Sequence, residues 1–402
     1  MPQSTILQHL PGSSRTRTPS VSEARSPPRR ASGPPAHVPD TDPGLPAGAG
    51  GAEIPAAVAA SAGSLDRPPE GGSVFGFTFA PGPSLQFGGA LSFVPALDPP
   101  KAMTATDAKQ RRTTQALLNW AADCLRKADI EDPRLNAEVL LCKALSVDRT
   151  ALYLRPERPV SPAEDRRYRD LVNRRAAREP LQYLVGSCEF YGREFEVTPA
   201  VLVPRQETEL VIEKCLGKVG EGESWAADLG TGSGIIAVSL TAARPALSVI
   251  ATDSSPAALE VAARNAHRHG VADRVLLAAG DLAEPVPRLL PVGRRAVDLV
   301  ASNPPYVPTA WIERLQPEVR DHEPRAALDG GPDGLAVVRR LVPQAARLLG
   351  PGGWLVLELG EGQADAVRAI AREAGAFAQD TVETVTDPAG CERVFAIRRQ
   401  NG

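Results

Sequence analysis

Asn303-Pro304-Pro305-Tyr306 contains the residue types that most directly specify chemistry in this chain. The side-chain oxygen of Asn303 and the backbone carbonyl of Pro304 are acceptors for the two N–H groups of a planar NH2 group. The two prolines fix the backbone and hold these acceptors rigidly, and the ring of Tyr306 is suited to stack on a flat substrate group. We therefore predict Asn303, Pro304 and Tyr306 as catalytic residues and Asn303, Pro304, Pro305 and Tyr306 as substrate-binding residues.

The reaction predicted at this motif is methyl transfer to nitrogen. An amide or exocyclic amine nitrogen is a poor nucleophile because its lone pair is delocalised, so catalysis needs positioning and electrostatics more than a strong base. Two acceptors that draw both hydrogens to one side of the NH2 group make the nitrogen pyramidal. Its lone pair then points toward an electrophilic methyl group. Standing alone, the motif fits a simple turn after a strand equally well, so its chemistry depends on a cofactor site nearby.

A glycine-rich turn supplies that site. Gly230, Gly232 and Gly234 lie between a predicted strand and a predicted helix, where a backbone without side chains lets a ligand approach a helix N-terminus. Asp253 ends the next predicted strand, twenty-three residues after Gly230, where a carboxylate accepts from both ribose hydroxyls. These features fit NAD and S-adenosylmethionine alike, although the spacing lacks the third glycine position of the dinucleotide pattern.

Asp281 and Leu282 complete the predicted cofactor site after the third strand. We expect the Asp281 carboxylate to accept from an adenine amino group and Leu282 to pack on the ring; a solvated loop aspartate is the alternative. The full predicted cofactor-binding set is Gly230, Thr231, Gly232, Ser233, Gly234, Asp253, Asp281, Leu282 and Asn303.

These residues are expected to meet because the second half of the chain alternates strands and helices, the pattern of a doubly wound, mostly parallel sheet. Ligands of open α/β sheets bind beyond the carboxyl ends of the strands, and the glycine turn, Asp253, Asp281 and Asn303 each follow a predicted strand. The predicted strands are 226–229, 248–253, 275–279, 297–302 and 353–359, with a terminal antiparallel pair at 381–385 and 393–398.

A small helical domain precedes the sheet. Apolar residues at helical spacing predict helices at 113–128, 134–145, 148–154 and 163–178. Asp132-Pro133 predicts an N-cap and an N1 proline for the second helix. A β-hairpin with a glycine turn at Gly192 is expected to link the helices to the sheet domain.

Residues 1–102 differ in composition, since 18 of the 39 prolines lie in the first 100 residues among long Ala, Gly and Ser runs. Such a segment buries too little apolar surface to offset the entropy of ordering it, so we predict disorder. Its arginines resemble a transit peptide without the apolar face, and an overextended start before Met103 is the favoured explanation. The predicted domains are a disordered extension at 1–102, a helical domain at 103–180, a β-hairpin linker at 181–204 and a methyltransferase domain at 205–402.

Composition excludes several functional classes. The net charge of −3 gives no reason to expect electrostatic binding to bulk nucleic acid. The five cysteines are scattered without a Cys-x-x-Cys pair, so no metal site or disulfide framework is predicted. No apolar run approaches the roughly 18 residues that span a bilayer. We expect a cytoplasmic monomer without direct nucleic-acid binding, and organellar targeting by the extension stays open.

Residues 113–400 resemble the protein-glutamine N5-methyltransferase family, and within it the peptide chain release factor methyltransferases. DNA adenine methyltransferases share only the cofactor site and the Asn-Pro-Pro-Tyr motif. Glu189-Phe190-Tyr191-Gly192 favours the release factor branch. The other segments that carry the resemblance are 132–138, 179–183, 186–188, 203–209, 228–234, 303–306, 323–328 and 333–335.

The resemblance implies a Rossmann-like class I methyltransferase domain that follows a small helical bundle and a linking hairpin. It implies S-adenosylmethionine as the cofactor and methylation of the glutamine in the Gly-Gly-Gln motif of class 1 release factors, which the helical domain would dock. The family's cofactor residues map onto Gly230–Gly234, Asp253, Leu282 and Asn303, and its substrate residues onto Asn303–Tyr306. Some members have Trp at the position of Leu282, so stacking there is expected to be weaker in this chain.

Three alternatives accompany that interpretation. The first is the sister enzyme that methylates a glutamine of a large-subunit ribosomal protein with the same catalytic domain and a different helical domain. The second is a nucleic-acid adenine N6-methyltransferase, which would need a basic groove or a target-recognition domain. The third, a cofactor-binding module without activity, leaves Asn303 unexplained.

Overall fold

The computed structural model describes residues 112–401 of the chain. The disorder predicted for residues 1–102 lies outside the described residues, and the domain boundaries drawn from the sequence stay predictions.

Four helices form the first part of the described chain, and each predicted helix is confirmed to within two residues. They pack around a shared core that includes Leu117, Leu125, Leu140 and Tyr168. The last helix begins with a capping box, in which Ser161 and Glu164 satisfy each other's backbone N–H groups. The helices are α1 (Thr114–Lys127), α2 (Pro133–Leu145), α3 (Arg149–Leu154) and α4 (Pro162–Ala176).

The N-cap predicted at Asp132 is wrong in its chemistry. Asp132 precedes α2, but its φ of 47° is left-handed and its side chain makes no capping hydrogen bond. Asn136 instead donates from its side-chain amide to the backbone oxygens of Glu131 (3.0 Å) and Asp132 (3.2 Å). The turn is therefore stabilised from inside the helix, because a side chain one turn later reaches back to the entering backbone.

The predicted hairpin connects the helices to the sheet, and a short helix that the sequence pattern did not predict precedes it. Helix α5 (Leu181–Val185) leads into the antiparallel strands β1 (Ser187–Phe190) and β2 (Arg193–Glu196). Tyr191 and Gly192 form the two-residue turn, and both have positive φ, as the tight turns of hairpins require. The hairpin packs on the sheet domain, since Asn265 exchanges hydrogen bonds of 2.7 and 3.0 Å with the backbone of Glu196.

The rest of the chain is a seven-stranded sheet in the order β5-β4-β3-β6-β7-β9-β8. Strands β3 to β7 are parallel, whereas β9 runs antiparallel between β7 and β8. The doubly wound sheet and its terminal antiparallel pair are therefore confirmed. The strands are β3 (Ser224–Leu229), β4 (Leu247–Asp253), β5 (Val275–Ala279), β6 (Val297–Ser302), β7 (Leu349–Glu358), β8 (Phe377–Thr386) and β9 (Glu392–Arg399).

Helices cover both faces of this sheet. In β6, Leu299 and Ala301 face a core that includes α6 and α7, whereas Val300 faces a core that includes α11 and α12. The strand order reverses between β3 and β6, and such switch points leave a crevice at the carboxyl ends of the strands. The helices are α6 (Thr208–Leu216), α7 (Ile235–Ala243), α8 (Pro256–Arg268), α9 (Val286–Leu289), α10 (Pro317–His322), α11 (Ala336–Leu348) and α12 (Ala364–Glu373).

The segment between β6 and α11 carries structure that the sequence pattern did not predict. A 3-10 helix at Thr309–Arg314, helix α10 and a second 3-10 turn at Arg325–Ala327 fill it. Between residues 112 and 401, no helix is long and apolar enough to cross a membrane.

Candidate functional site

The glycine turn after β3 leaves room for a ligand. Gly230 and Gly232 have φ values of +77° and +55°, and a Cβ atom added to either would have no atom of the described chain within 4 Å. Gly234 is constrained differently, because its added Cβ would lie 3.1 Å from the Cβ of Ala262 on α8. Two glycines thus keep the strand end open, and the third lets α7 and α8 approach each other. This geometry fits a nucleoside-bearing cofactor.

Asp228, near the end of β3, fixes the shape of the glycine turn by accepting two hydrogen bonds. Its Oδ2 accepts from the hydroxyl of Thr231 at 2.6 Å and from the backbone N–H of Ala237 at 3.1 Å. Burial raises the pKa of this carboxyl to about 7. Thr231 and Ser233 are both buried. The backbone of Thr231 donates to Thr252 and accepts from Gly234, and the carbonyl of Ser233 accepts from Asn265, so contact of these two residues with a cofactor stays a prediction.

Asp253 lies at the end of β4, beside the glycine turn. Its Oδ2 accepts from the backbone N–H of Gly232 and its Oδ1 from that of Ser255, both at 2.9 Å. A carboxylate has about four acceptor sites, so two lone pairs remain for other donors. Contact with ribose hydroxyls at Asp253 stays a prediction, and the geometry gives the carboxylate a fixed orientation for it.

Asp281 and Leu282 follow β5 on the same edge of the sheet. Leu282 has a φ of +51° and accepts from the Thr252 hydroxyl at 2.8 Å, so its backbone is tied to the end of β4. Asp281 forms an exposed ion pair with Arg340, which competes with the predicted adenine contact. Both assignments stay predictions.

Asn303 follows β6 directly and is held by a buried polar chain. Its Nδ2 donates to the Thr208 hydroxyl at 3.1 Å, and that hydroxyl donates to Oε2 of Glu358 at 2.6 Å. Within residues 112–401, no hydrogen bond engages Oδ1 of Asn303 or the carbonyl oxygen of Pro304. The two acceptors predicted from the sequence therefore have no hydrogen-bond partner among the described residues.

The two halves of the site lie on adjacent strands. Strands β3 and β6 are paired in register, with Asp228 opposite Ala301. The Ser302 hydroxyl also donates to the Leu229 carbonyl at 2.5 Å. The glycine turn and the Asn303 acceptors therefore leave neighbouring strand ends, on the two sides of the switch point.

Tyr306 is fixed by both its backbone and its side chain. The Tyr306 carbonyl accepts from Gln363 at 3.0 Å, and its hydroxyl donates to Glu358 at 3.4 Å. Burial raises the pKa of Tyr306 above its ordinary value. The phenol therefore stays protonated at neutral pH and acts as a donor.

The glycine-rich segment after the second 3-10 turn supports the Asn303–Tyr306 loop. A Cβ atom added to Gly330 would lie 2.7 Å from the Pro305 carbonyl oxygen. A Cβ atom added to Gly334 would lie 2.3 Å from the Tyr306 carbonyl oxygen. Val307 exchanges backbone hydrogen bonds with Leu328 (3.0 Å) and Gly330 (2.9 Å). The glycines therefore permit a close backbone contact that holds the loop in place.

Sequence reasoning missed Thr208 and Glu358, which are 0% and 1% exposed. The available signal was Glu358 itself, an acid at the carboxyl end of an apolar strand. Burial raises the pKa of the Glu358 carboxyl to about 7. Arg205 pairs with the buried Glu323 at 2.6 Å.

Two family models match the chain, one described as PrmC N-terminal domain at residues 116–186 and one as Methyltransferase small domain at residues 208–313. A release factor glutamine methyltransferase of Moorella thermoacetica is 48% identical over 290 residues, which cover 72% of this chain and 99% of the relative. Another from Geobacter sulfurreducens is 46% identical over 286 residues, or 71% of this chain and 96% of the relative.

The matched regions coincide with the helical part and with strands β3 to β6 of the sheet, which carry the glycine turn and Asn303. The resemblance read from the sequence motifs and the class I methyltransferase fold are thereby confirmed. Because relatives well above 30% identity are covered almost end to end, the chain belongs to the release factor glutamine methyltransferase family.

Proposed function

We propose that this enzyme transfers a methyl group from S-adenosylmethionine to the side-chain amide nitrogen, N5, of the glutamine in the Gly-Gly-Gln motif of class 1 peptide chain release factors. One observation carries the proposal. The Asn303 Oδ1 and the Pro304 carbonyl are two unengaged acceptors at the end of β6, beside the open glycine turn after β3. A primary amide has two N–H groups to donate to them.

The acceptors raise the reactivity of the amide by orientation. Each takes one N–H of the glutamine side chain, so both hydrogens are drawn to one side and the nitrogen presents its lone pair on the other. S-adenosylmethionine supplies an electrophilic methyl group on a sulfonium, which is a good leaving group. As the N–C bond forms, one N–H proton is lost to solvent, so no strong base is required.

The cofactor is expected along the carboxyl edge of β3, β4 and β5. Asp253 would accept from the ribose hydroxyls, and the Gly230–Gly234 backbone would allow close approach. Asp281 and Leu282 would contact the adenine, with Asp281 released from Arg340, and Asn303 would border the methyl donor. Tyr306 would stack on the planar amide of the substrate.

The alternative substrates are a glutamine of a large-subunit ribosomal protein and an adenine in nucleic acid. Both present a planar NH2 group, so Asn303 alone does not separate them. The similarity to relatives named release factor glutamine methyltransferase, over nearly their whole length, supports the release factor. The net charge of −3 gives no electrostatic drive toward nucleic acid.

The test is a competition among substrates. The protein is incubated with methyl-labelled S-adenosylmethionine and a class 1 release factor, a glutamine-bearing ribosomal protein of the large subunit or duplex DNA, and the labelled atom is located by mass spectrometry. We expect label on the Gly-Gly-Gln glutamine and none on a release factor in which that glutamine is replaced by alanine. Preferential labelling of the ribosomal protein or of DNA would refute the assignment.

We further infer that the enzyme works as a cytoplasmic monomer, where it meets newly made release factors. Light scattering of the purified protein at micromolar concentration and fractionation of cells of the source test the two points. A stable dimer or a membrane-bound pool would contradict them.

A further inference from the structure

Three side chains from distant parts of the chain form one buried hydrogen-bonded relay behind the substrate loop. Asn303 directly follows β6, Thr208 is the first residue of α6 and Glu358 is the last residue of β7. The links are 3.1 Å from Asn303 Nδ2 to Thr208 Oγ1 and 2.6 Å from Thr208 Oγ1 to Glu358 Oε2. Thr208 and Glu358 are buried, so solvent does not substitute for either link.

The relay has a direction that follows from its chemistry. An ionised carboxylate only accepts, so the single hydroxyl proton of Thr208 must point to Glu358. The Thr208 oxygen then offers lone pairs to Asn303, and only the Nδ2 end of the amide has protons to meet them. The amide of Asn303 is therefore turned with Nδ2 toward Thr208 and Oδ1 away from it.

This direction matters because an asparagine amide has nearly the same shape in both of its orientations. In the reversed orientation Nδ2 would face the substrate, and two NH2 groups would oppose each other as donors. That arrangement loses one of the two hydrogen bonds that orient the substrate amide. Packing alone discriminates weakly between the two orientations, whereas a hydrogen bond of fixed polarity discriminates strongly.

We propose that Glu358 and Thr208 are positioning residues that lock the amide of Asn303 with its oxygen toward the substrate. Glu358 also accepts from the Tyr306 hydroxyl at 3.4 Å. The same carboxylate thus anchors both ends of the Asn303–Tyr306 loop. The inference rests on the proposed function, because it assumes that the substrate group is an NH2.

The charged surroundings of Glu358 define when the relay operates. Glu207 at the start of α6 and Arg393 on β9 face it, together with the protonated Tyr306. Burial raises the pKa of Glu358 to about 7, with Glu207 adding to the rise and Arg393 opposing it. Protonated Glu358 can donate to Thr208, which frees the threonine hydroxyl to donate to Asn303 Oδ1 and so reverses the relay. Loss of the locked orientation is therefore expected as pH falls through about 7.

The test compares Thr208→Val with Thr208→Ser in methyl transfer to a class 1 release factor. Valine keeps the shape of threonine and removes the hydroxyl, so we expect kcat to fall about ten- to hundredfold with KM for the release factor within about threefold. Serine keeps the hydroxyl and should restore kcat to within about threefold of the unmodified enzyme. Thermal melting and binding of S-adenosyl-L-homocysteine verify that each variant is folded.

Thr241→Val is the matched control. Thr241 is also fully buried, but its hydroxyl donates at 2.6 Å to the Ala237 carbonyl inside its own helix. This variant loses a buried hydroxyl without touching the relay, so its kcat should stay within about twofold of the unmodified enzyme. Equal kcat values for Thr208→Val and Thr241→Val would overturn the proposal.

Glu358→Gln provides a second, independent measurement if Thr208→Val does not fold. Glutamine can donate to Thr208, so we expect a lower kcat in this variant. The unmodified enzyme loses kcat as pH falls through about 7, and we expect this loss to be smaller in Glu358→Gln, whereas any effect of the buried Asp228 is common to both proteins. An unchanged kcat and pH profile in Glu358→Gln would refute the relay. Lack of any transfer to the release factor by the unmodified enzyme would refute the proposed function instead.

Discussion

Gly334 offers a sharp test of how the substrate loop is held. The residue has a φ of +79°, and a Cβ added to it would lie 2.3 Å from the Tyr306 carbonyl oxygen and 2.7 Å from Nε2 of Gln363. These two atoms are themselves hydrogen-bonded at 3.0 Å. Gly334→Ala therefore inserts a methyl group directly behind the Asn303–Tyr306 loop.

The size of the effect follows from the overlap. Real Cβ contacts stay above 3.0 Å, so the Tyr306 carbonyl has to retreat by about 0.7 Å. The two prolines make the loop stiff, and the displacement is passed to the Pro304 carbonyl and to Asn303. A misplacement of about 1 Å costs roughly a hundredfold in rate, so we expect kcat to fall about 30- to 100-fold.

The assay separates this displacement from general destabilisation. The kcat of methyl transfer is measured in the steady state with saturating release factor and S-adenosylmethionine, and cofactor binding is measured by calorimetry. We expect the Kd of S-adenosylmethionine to change by less than about threefold, because the glycine turn and Asp253 do not contact Gly334.

Gly375→Ala is the control for the backbone strain. Gly375 has a φ of +68°, and its added Cβ would meet no described atom within 4 Å. Both substitutions force an alanine into the left-handed region at about 1–2 kcal/mol, but only one overlaps the loop. If Gly334→Ala kept kcat within twofold of Gly375→Ala, the close approach would not control the position of the substrate loop.

Three further outcomes are expected. Asn303→Ala should abolish methyl transfer and leave the cofactor Kd within a few-fold, and full activity in this variant would contradict the role of its oxygen. Asp253→Ala should weaken S-adenosylmethionine binding at least about tenfold, as measured by calorimetry; an unchanged Kd would count against the ribose contact. Asp228 has its pKa raised from 3.8 to about 7, so its contribution to stability is complete below about pH 4 and is lost as pH rises through about 7. Asparagine does not ionise, so Asp228→Asn removes that loss. Denaturant titrations at pH 5 and pH 8 should show that the difference in free energy of unfolding, variant minus unmodified protein, rises by on the order of 1–4 kcal/mol between the two pH values.

The strands and the ends that carry the site could be predicted because their signals are local. The apolar run before Asn303 and the glycine spacing after Asp228 each lie within about ten residues, and β6 has the predicted bounds Val297–Ser302. Parallel strands bring such ends to one edge whatever the length of the connections. The predicted convergence of the glycine turn and Asn303 therefore needed no knowledge of individual contacts.

The support of the loop could not be predicted, because it depends on contacts between residues far apart in sequence. Thr208 and Glu358 are 150 residues apart. The acid at the end of an apolar strand marks Glu358 as unusual, but nothing in either segment identifies the other residue as its partner. Gly334 lies in a recognisable glycine-rich stretch, but only the fold shows that the Tyr306 carbonyl is the atom it must admit. The local sequence pattern predicts a helix or a strand, whereas the hydrogen-bond partner of a buried polar group depends on how the whole sheet packs.

The segment after the substrate loop carries two acidic residues, in and just after α10, that form ion pairs with arginines from earlier in the chain. Glu318 on α10 accepts from Arg175 at 3.1 Å and from Arg178 at 3.2 Å, both at the end of the helical bundle. Glu323, which follows α10, pairs with Arg205 at 2.6 Å.

Arg175 and Glu323 are both buried, so breaking either pair would leave a charge without a partner at a cost of about 3–5 kcal/mol. Rotation of the helical bundle relative to the sheet is therefore opposed. The segment that carries these acids continues into Leu328, which pairs with Val307 directly after the Asn303–Tyr306 loop. A release factor that docks on the helices would accordingly meet a substrate loop whose position is already set.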